Sequence, residues 1–301
     1  MEKRNIGPLQ VSVVGLGCNN FGMRLDESRT KEVVDAALDA GINFLDTADI
    51  YGKTKSEEFL GRVLAGRRQN IILATKFGMK VDDDKVGAHP KYVKQACEDS
   101  LKRLNTDYID LYQLHEPDPN VPIADTLGAL NDLVKEGKVR NIGCSNFSSD
   151  QLQEANQISK RSGIARFISV QNEYSLLQRD PENGVLQTCK ELKIAFIPYF
   201  PLFSGLLTGK YRKGQPIPEG TRIQEGSPRL TAENIEKVEK LISHAESRNH
   251  TILELAFGYL LAQREVASVI AGATSPKQIQ SNVQAASWKL TTNELREVAV
   301  D

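Results

Sequence analysis

The sequence is poor in the residues that build metal clusters and disulfide frameworks. Its four cysteines, Cys18, Cys97, Cys144 and Cys189, are scattered without C-x-x-C spacing, so neither a zinc site nor a set of disulfides is indicated. Its four histidines, His89, His115, His244 and His250, show no H-x-H or H-E-x-x-H spacing, which argues against a metal-dependent barrel hydrolase. Excess charge is lacking too. With 38 Lys and Arg against 39 Asp and Glu, the net charge of −1 supplies no electrostatic reason to expect nucleic acid or an anionic membrane as partner. No apolar run approaches the roughly 20 residues needed to cross a bilayer. Met1-Glu2-Lys3-Arg4-Asn5 lacks the apolar stretch of a signal peptide. A reduced, cytoplasmic protein is the expectation, and nothing specifies an oligomeric state.

What is present is ordinary in bulk and regular in order. The 301 residues are 40% hydrophobic and 26% charged, as in globular domains. That length holds one α/β barrel of about 250 residues or two smaller domains. After an opening stretch over 4–14, read as a hairpin around Gly7-Pro8, strand-like and helix-like segments alternate. Strands are expected at 13–17, 43–46, 71–76, 109–114, 141–144, 168–171, 195–198 and 268–271. Helices are expected at 28–40, 56–65, 90–104, 122–136, 149–161 and 181–192, then two before the last strand and one at 276–286. Ser56 followed by Glu57 and Glu58 reads as a helix start, as do Pro122, Pro181 and Pro276 at first-turn positions. Gly41 and Gly137 sit where helices should end. Eight strands, each followed by helix, predict a single (β/α)8 TIM barrel spanning 1–301, with an open doubly wound sheet as the alternative. On a barrel, the loops after the strands carry function. The longest irregular stretch, 211–230, is rich in Gly, Pro and Arg.

Three short segments place four proton-handling residues at or just beyond the ends of apolar runs. Asp46 and Tyr51 lie in Asn43-Phe44-Leu45-Asp46-Thr47-Ala48-Asp49-Ile50-Tyr51-Gly52. Lys76 ends Ile71-Ile72-Leu73-Ala74-Thr75-Lys76, and His115 ends Tyr108-Ile109-Asp110-Leu111-Tyr112-Gln113-Leu114-His115. Polar residues leaving the same ends of parallel strands can converge, and these four would form a proton-donating site.

Leu45 to Gly52, Leu114-His115, Gly143-Cys144-Ser145-Asn146-Phe147 and Gly205-Leu206-Leu207-Thr208-Gly209-Lys210-Tyr211 closely resemble the aldo-keto reductases. The likeness runs in order from Gly15 to Asn282. It implies a barrel, a nicotinamide cofactor across its C-terminal mouth, and reduction of a small-molecule carbonyl. The chemistry of the four residues is consistent with that. Hydride reaching a carbonyl carbon builds charge on oxygen, so the site must supply a proton. A free tyrosine, with a pKa of about 10, is a poor acid near neutrality. An ammonium at Lys76 is expected to lower it, Asp46 to anchor the lysine, and His115 to orient the carbonyl. Tyr51 is then the general acid.

Cofactor contacts follow from the resemblance. Gly15-Leu16-Gly17-Cys18-Asn19-Asn20 lacks the third glycine of a dinucleotide fingerprint and reads as a tight turn, with Cys18 and Asn19 lining the cofactor beside Asp46. Ser145, Asn146 and Gln171 match the contacts to the nicotinamide amide, and Tyr199 matches the stacking aromatic. Phe200 stands where a serine is common, which implies a more apolar pocket. Pro201, Leu202, Gly205 and Lys210 match the segment that wraps the pyrophosphate, with Arg222 a further candidate. Gly272, Thr274, Gln278 and Asn282 match adenosine-phosphate contacts at a helix start. Gln278 replaces an arginine of one branch, and Ser281 replaces a glutamate that often binds adenine. NADPH is favoured over NADH.

The competing reading keeps the fold without turnover, since potassium-channel β subunits resemble aldo-keto reductases and act mainly as nucleotide-binding regulators. The chain has neither a long N-terminal extension nor an obvious interaction segment, which favours the enzyme. A tail ending about fifteen residues after the final expected helix adds little to the pocket, so an open apolar site lined by Phe21, Phe77 and Phe200 is expected. The physiological carbonyl is not specified.

Overall fold

A computed structural model describes residues 1–299. The chain opens with an antiparallel hairpin, β1 (Lys3–Ile6) and β2 (Leu9–Ser12), turning through Gly7 at φ +54°. A side chain on Gly7 would stand 2.9 Å from Ile168, so the hairpin lies flush against the first turns of the barrel. It buries Ile6 and Val11 against the barrel's lower interior.

Eight parallel strands follow: β3 (Val14–Gly17), β4 (Phe44–Asp46), β5 (Ile72–Phe77), β6 (Ile109–Leu114), β7 (Val139–Ser145), β8 (Phe167–Glu173), β9 (Ala195–Tyr199) and β10 (Val269–Gly272). They hydrogen-bond in the order β10-β3-β4-β5-β6-β7-β8-β9. The ring is completed beside β9, where Phe196 N–H donates to Glu265 O at 2.7 Å and Ala267 N–H donates to Phe196 O at 3.0 Å. This is the (β/α)8 barrel the alternation predicts, and the open sheet is excluded.

The helices are α1 (Glu27–Asp39), α2 (Lys55–Val63), α3 (Pro90–Leu104), α4 (Ile123–Lys135), α5 (Ser149–Ser162), α6 (Val185–Leu192), α7 (Ala232–Glu246), α8 (Ile252–Ala262), α9 (Pro276–Ala285) and α10 (Thr292–Ala299). Three expectations about them need correction. Ser56 does not cap α2: its hydroxyl donates to Cys18 O at 3.0 Å inside the fold, and Thr54 precedes the helix. The helix expected over 181–192 is split, with a 3-10 turn at Asp180–Glu182 and α6 beginning only after Gly184 at φ +131°. The final helix, α10, was not expected at all; its amphipathic turn is short and follows no strand. Gly41 and Gly137 do sit just past α1 and α4, at φ +84° and +75°. The stretch 211–230 carries neither helix nor strand, and among the described residues no helix is long and apolar enough to cross a membrane.

Strand alternation positions the site. Phe44, Ala74, Leu111 and Ile197 share the interior apolar layer at the foot of the barrel. Two residues further up the same strands, and so on the same face, come Asp46, Lys76, Gln113 and Tyr199. Intervening residues such as Leu45, Leu73, Phe77 and Tyr112 face the helices and join the large outer core. Polar chemistry is therefore stacked above an apolar floor, at the C-terminal end of the barrel.

Candidate active site

Lys76 carries the centre of the site. Fully buried, it donates from Nζ to Asp46 Oδ2 at 2.5 Å, to Thr47 O at 2.9 Å and to Tyr51 Oη at 3.4 Å. Burial alone would strip the lysine of its proton, but Asp46 and Tyr51 outweigh it and hold the ammonium above its ordinary value. The other carboxylate oxygen of Asp46 accepts from Gln171 Nε2 at 2.9 Å and Gln113 Nε2 at 3.1 Å. Gln113 was missed by sequence reasoning; the only hint was its inward parity with Leu111. Breaking a buried pair of this kind costs about 3–5 kcal/mol, because the remaining charge has no water.

The Tyr51 ring is half-buried and meets the His115 ring edge-on, centroids 5.8 Å apart. The expected downward shift of the phenol is not found. Burial pushes Tyr51 up, Lys76 pulls it down, and Asp46 pushes it up again, for a net rise. The carboxylate that holds the lysine also cancels much of its field. His115 is nine-tenths buried, its Nδ1 has no partner among the described residues, and burial with the Lys76 charge lowers it to about 3. It is a neutral imidazole near pH 7.

The residues expected to meet the nicotinamide amide form one chain of contacts. Ser145 Oγ donates to Gln171 O at 2.6 Å, Asn146 Nδ2 to His115 O at 2.9 Å, and Tyr199 Oη to Asn146 Oδ1 at 2.8 Å. Asn146 holds φ +61°, a left-handed turn that aims its amide back across the mouth. Cys18 is fully buried at the first strand end; burial raises its thiol far out of reach, so it is packing rather than a nucleophile. Asn19 and Asn20 lie against Gly272, where an added Cβ would stand 3.2 and 3.1 Å from their amides. Asn20, not singled out from sequence, donates to Ala273 O at 3.4 Å and ties the first loop to the last.

Past β9 the backbone is strained. Phe200, Phe203 and Ser204 take φ of +48°, +45° and +60°, around a 3-10 turn at Phe203–Thr208. Pro201 is buried and Leu202 half-buried beneath it. A Cβ on Gly205 would meet Lys210 Nζ at 3.4 Å. Phe200 does not line an apolar pocket as expected. Its ring is faced by two guanidinium groups, Arg222 at 4.9 Å and Arg229 at 4.7 Å. Arg229 is paired with Glu173 at 2.7 Å, whereas among the described residues no carboxylate pairs with Arg24, Lys210 or Arg222. Burial and the mutual repulsion of these cations lower Lys210 and Arg222. Phe21 and Phe77, also expected in the pocket, are fully buried core; Phe77 stacks on Tyr112 at 4.7 Å, on the strand face opposite Lys76.

At the last strand, Ser275 caps α9, and Gln278 Oε1 accepts from Thr274 N at 2.7 Å. Gln278 thus turns back on its own loop. Asn282 is buried one turn further along.

The geometry has its counterpart in known proteins. Residues 13–299 match the model of the aldo/keto reductase family. The chain belongs to the aldo-keto reductase family. Its barrel is therefore that of an oxidoreductase family that works on carbonyls with nicotinamide cofactors. It is 36% identical to probable aldo-keto reductase 1 of Glycine max, over 96% of this chain and 85% of that one. Among solved structures it is similar to the holo form of aldo-keto reductase AKR11C1 from Bacillus halodurans, at 35% identity and TM-score 0.80, covering 99% and 95% of the two chains. The glycerol dehydrogenase AKR11B4 from Gluconobacter oxydans matches at 29% identity and TM-score 0.85, covering 99% and 94%. Within the family's barrel the Lys76 cluster occupies the strand-end face that carries chemistry.

Proposed function

We propose that this chain, as one barrel unit, reduces aldehydes and ketones to alcohols with NADPH, Tyr51 acting as the general acid. One observation carries the reading: a buried ammonium, Lys76, joins Asp46 to the Tyr51 hydroxyl beside a neutral His115.

The site residues fit the cofactor. Three cations that no carboxylate neutralises among the described residues, Lys210, Arg222 and Arg24, suit the phosphates; Gly205 and Gly272 leave room that a side chain would fill. Ser145, Asn146 and Gln171 offer donors and acceptors for the amide, and Tyr199 a ring for stacking. Thr274, Lys277 and the N-terminus of α9 suit a 2′-phosphate, which favours NADPH over NADH. The cofactor, when bound, supplies the hydride.

The protein's own work is proton delivery and orientation. The raised phenol keeps Tyr51 protonated through neutral and alkaline pH, and an alkoxide, being a stronger base than a phenolate, takes its proton readily. The phenolate left behind faces the Lys76 ammonium, which stabilises it. His115, unable to hold a proton at neutral pH, presents an imidazole that positions the carbonyl oxygen and does not compete as acid. Reversal of the same proton path oxidises an alcohol, as the dehydrogenase relative's name indicates for that protein.

NADPH consumption with 4-nitrobenzaldehyde, beside calorimetry with NADPH and NADH, tests the reading. Turnover with tighter NADPH binding is the expected result. Absence of nucleotide binding overturns it, and binding without turnover on any aldehyde or polyol points to a regulatory role.

A further inference from the structure

Asp49 is 2% exposed, yet among the described residues no side chain donates to either of its carboxyl oxygens, and the backbone N–H of Ile50 is the only donor close enough to favour the charged form. It lies in the turn between β4 and Tyr51 and takes no part in the chemistry above. Its backbone helps seat that turn on β5: Thr47 N–H donates to Ala74 O at 2.9 Å, and Asp49 N–H donates to Lys76 O at 3.1 Å. The residue that accepts the second bond is the one whose Nζ reaches Tyr51.

The charged and titratable groups facing the Asp49 carboxyl come from four elements: Glu57 on α2, Tyr92 and Arg103 on α3, Lys76 on β5 and Tyr112 on β6. None of the cations is free. Arg103 Nε is bound to the fully buried Glu57 at 2.7 Å, and Thr75 Oγ1 donates to the same carboxylate at 2.6 Å. Lys76 belongs to Asp46. The Tyr112 hydroxyl is fully buried and has no partner either. A carboxylate here would be dry, beside another carboxylate and without a cation of its own, with only the Ile50 backbone N–H to donate to it, so the neutral acid is the form that fits.

We propose that Asp49 is a positioning residue for Tyr51 that works as a neutral carboxylic acid: protonated, it lets the Thr47–Tyr51 turn stay seated on β5, and its ionisation lifts the turn toward water. The role of Tyr51 rests on the proposed reduction; the protonation of Asp49 does not.

Burial first, and Glu57 second, push Asp49 up to about 8. The value in the unfolded chain is the ordinary one, 3.8. Between these two the folded protein binds a proton that the unfolded chain has released. Stability contributed by the group is therefore full below the lower value, falls as pH rises through the window and is level above about 8. Reduction should drop near the upper end, although Asp49 touches neither substrate nor cofactor.

Asp49→Asn keeps the shape and cannot ionise. At pH 7 it should bind NADPH and turn over within about two-fold of the parent, with a Tm equal or higher. Its Tm should lose the downward slope between pH 5 and 8, and its kcat the drop near pH 8. In parent protein carrying carbon-13 aspartate, one carboxyl resonance should titrate near pH 8 and be missing from the variant. Parent and variant with the same pH profiles would overturn the proposal, as would a parent protein with no aspartate titrating above pH 7. The resonance is read in the parent alone, so it decides the matter even where the variant fails to fold. Failure of NADPH binding would remove the proposed reaction and leave the Tm and resonance results standing on their own.

Discussion

The two sides of the barrel mouth handle charge in opposite ways. On the β4–β5 side, Lys76, Asp46, Gln113 and Gln171 form a fully buried set in which Asp46 is bonded at both oxygens. On the β9 side, Arg24, Lys210 and Arg222 have no carboxylate partner among the described residues, around a backbone with three non-glycine residues in the left-handed region. In the first, charge is neutralised within the set itself. The second is a cationic rim whose members repel one another, a field that would attract an anion. On the proposed function, proton transfer belongs to one side and nucleotide retention to the other, so mutations on each should separate kcat from cofactor affinity.

Tyr51→Phe puts the sharpest strain on that division. Loss of the hydroxyl should cut kcat by about 10² to 10⁴-fold while NADPH affinity barely moves. Near-full kcat in steady-state assays would remove Tyr51 as acid and leave His115 to be tested. Lys76→Met should also depress the rate and, in addition, destabilise the fold by about 3–5 kcal/mol in urea melts, since Asp46 loses its buried partner. Combined with Tyr51→Phe its effect on rate should be less than additive, because both disable one proton-transfer unit. Phe77→Ala, on the outer face of the same strand as Lys76, should cost about 3–5 kcal/mol of stability with little change in KM. A large rise in KM would restore Phe77 to the substrate pocket.

On the rim the expected effects are smaller. Lys277→Glu should weaken NADPH by about tenfold and NADH much less, if it neighbours the 2′-phosphate. Equal losses measured for both nucleotides would make Lys277 a solvated surface charge. The smallest effect concerns acid. With His115 at about 3 when folded and near 6.5 when unfolded, the unfolded chain takes up the proton first as pH falls. Stability from this histidine is complete above about 6.5 and is lost toward pH 3. His115→Gln should flatten that acid limb in Tm, and parent kcat should show no break near pH 6.5.

Much of this was legible in the chain itself. The strand at 109–114 and the helix at 90–104 are found at the expected residues, because each carries a clean period and a clear terminus. Asp46, Tyr51, Lys76 and His115 could be singled out because a polar residue at or just past the end of an apolar strand must meet either water or another polar group. Gln113 could not, since a glutamine inside a strand has meaning only beside a carboxylate 67 positions away. Phe21 and Phe77 were misplaced for the converse reason. Near the mouth in sequence, both join the outer core: Phe77 because neighbours on a strand face opposite ways, Phe21 because the loop after β3 folds its ring inward.

Local periodicity and end signals by themselves determined that this would be a barrel, with Asp46, Tyr51 and Lys76 brought together at its C-terminal face. Only the tertiary structure decided the charge state of that cluster. Whether Tyr51 is raised or lowered depends on the balance of desolvation, the Lys76 ammonium and the Asp46 carboxylate, and the net rise reverses what the lysine alone would predict. Proton affinity is set by distances of a few ångströms among residues dozens of positions apart, and a linear pattern carries no such distances.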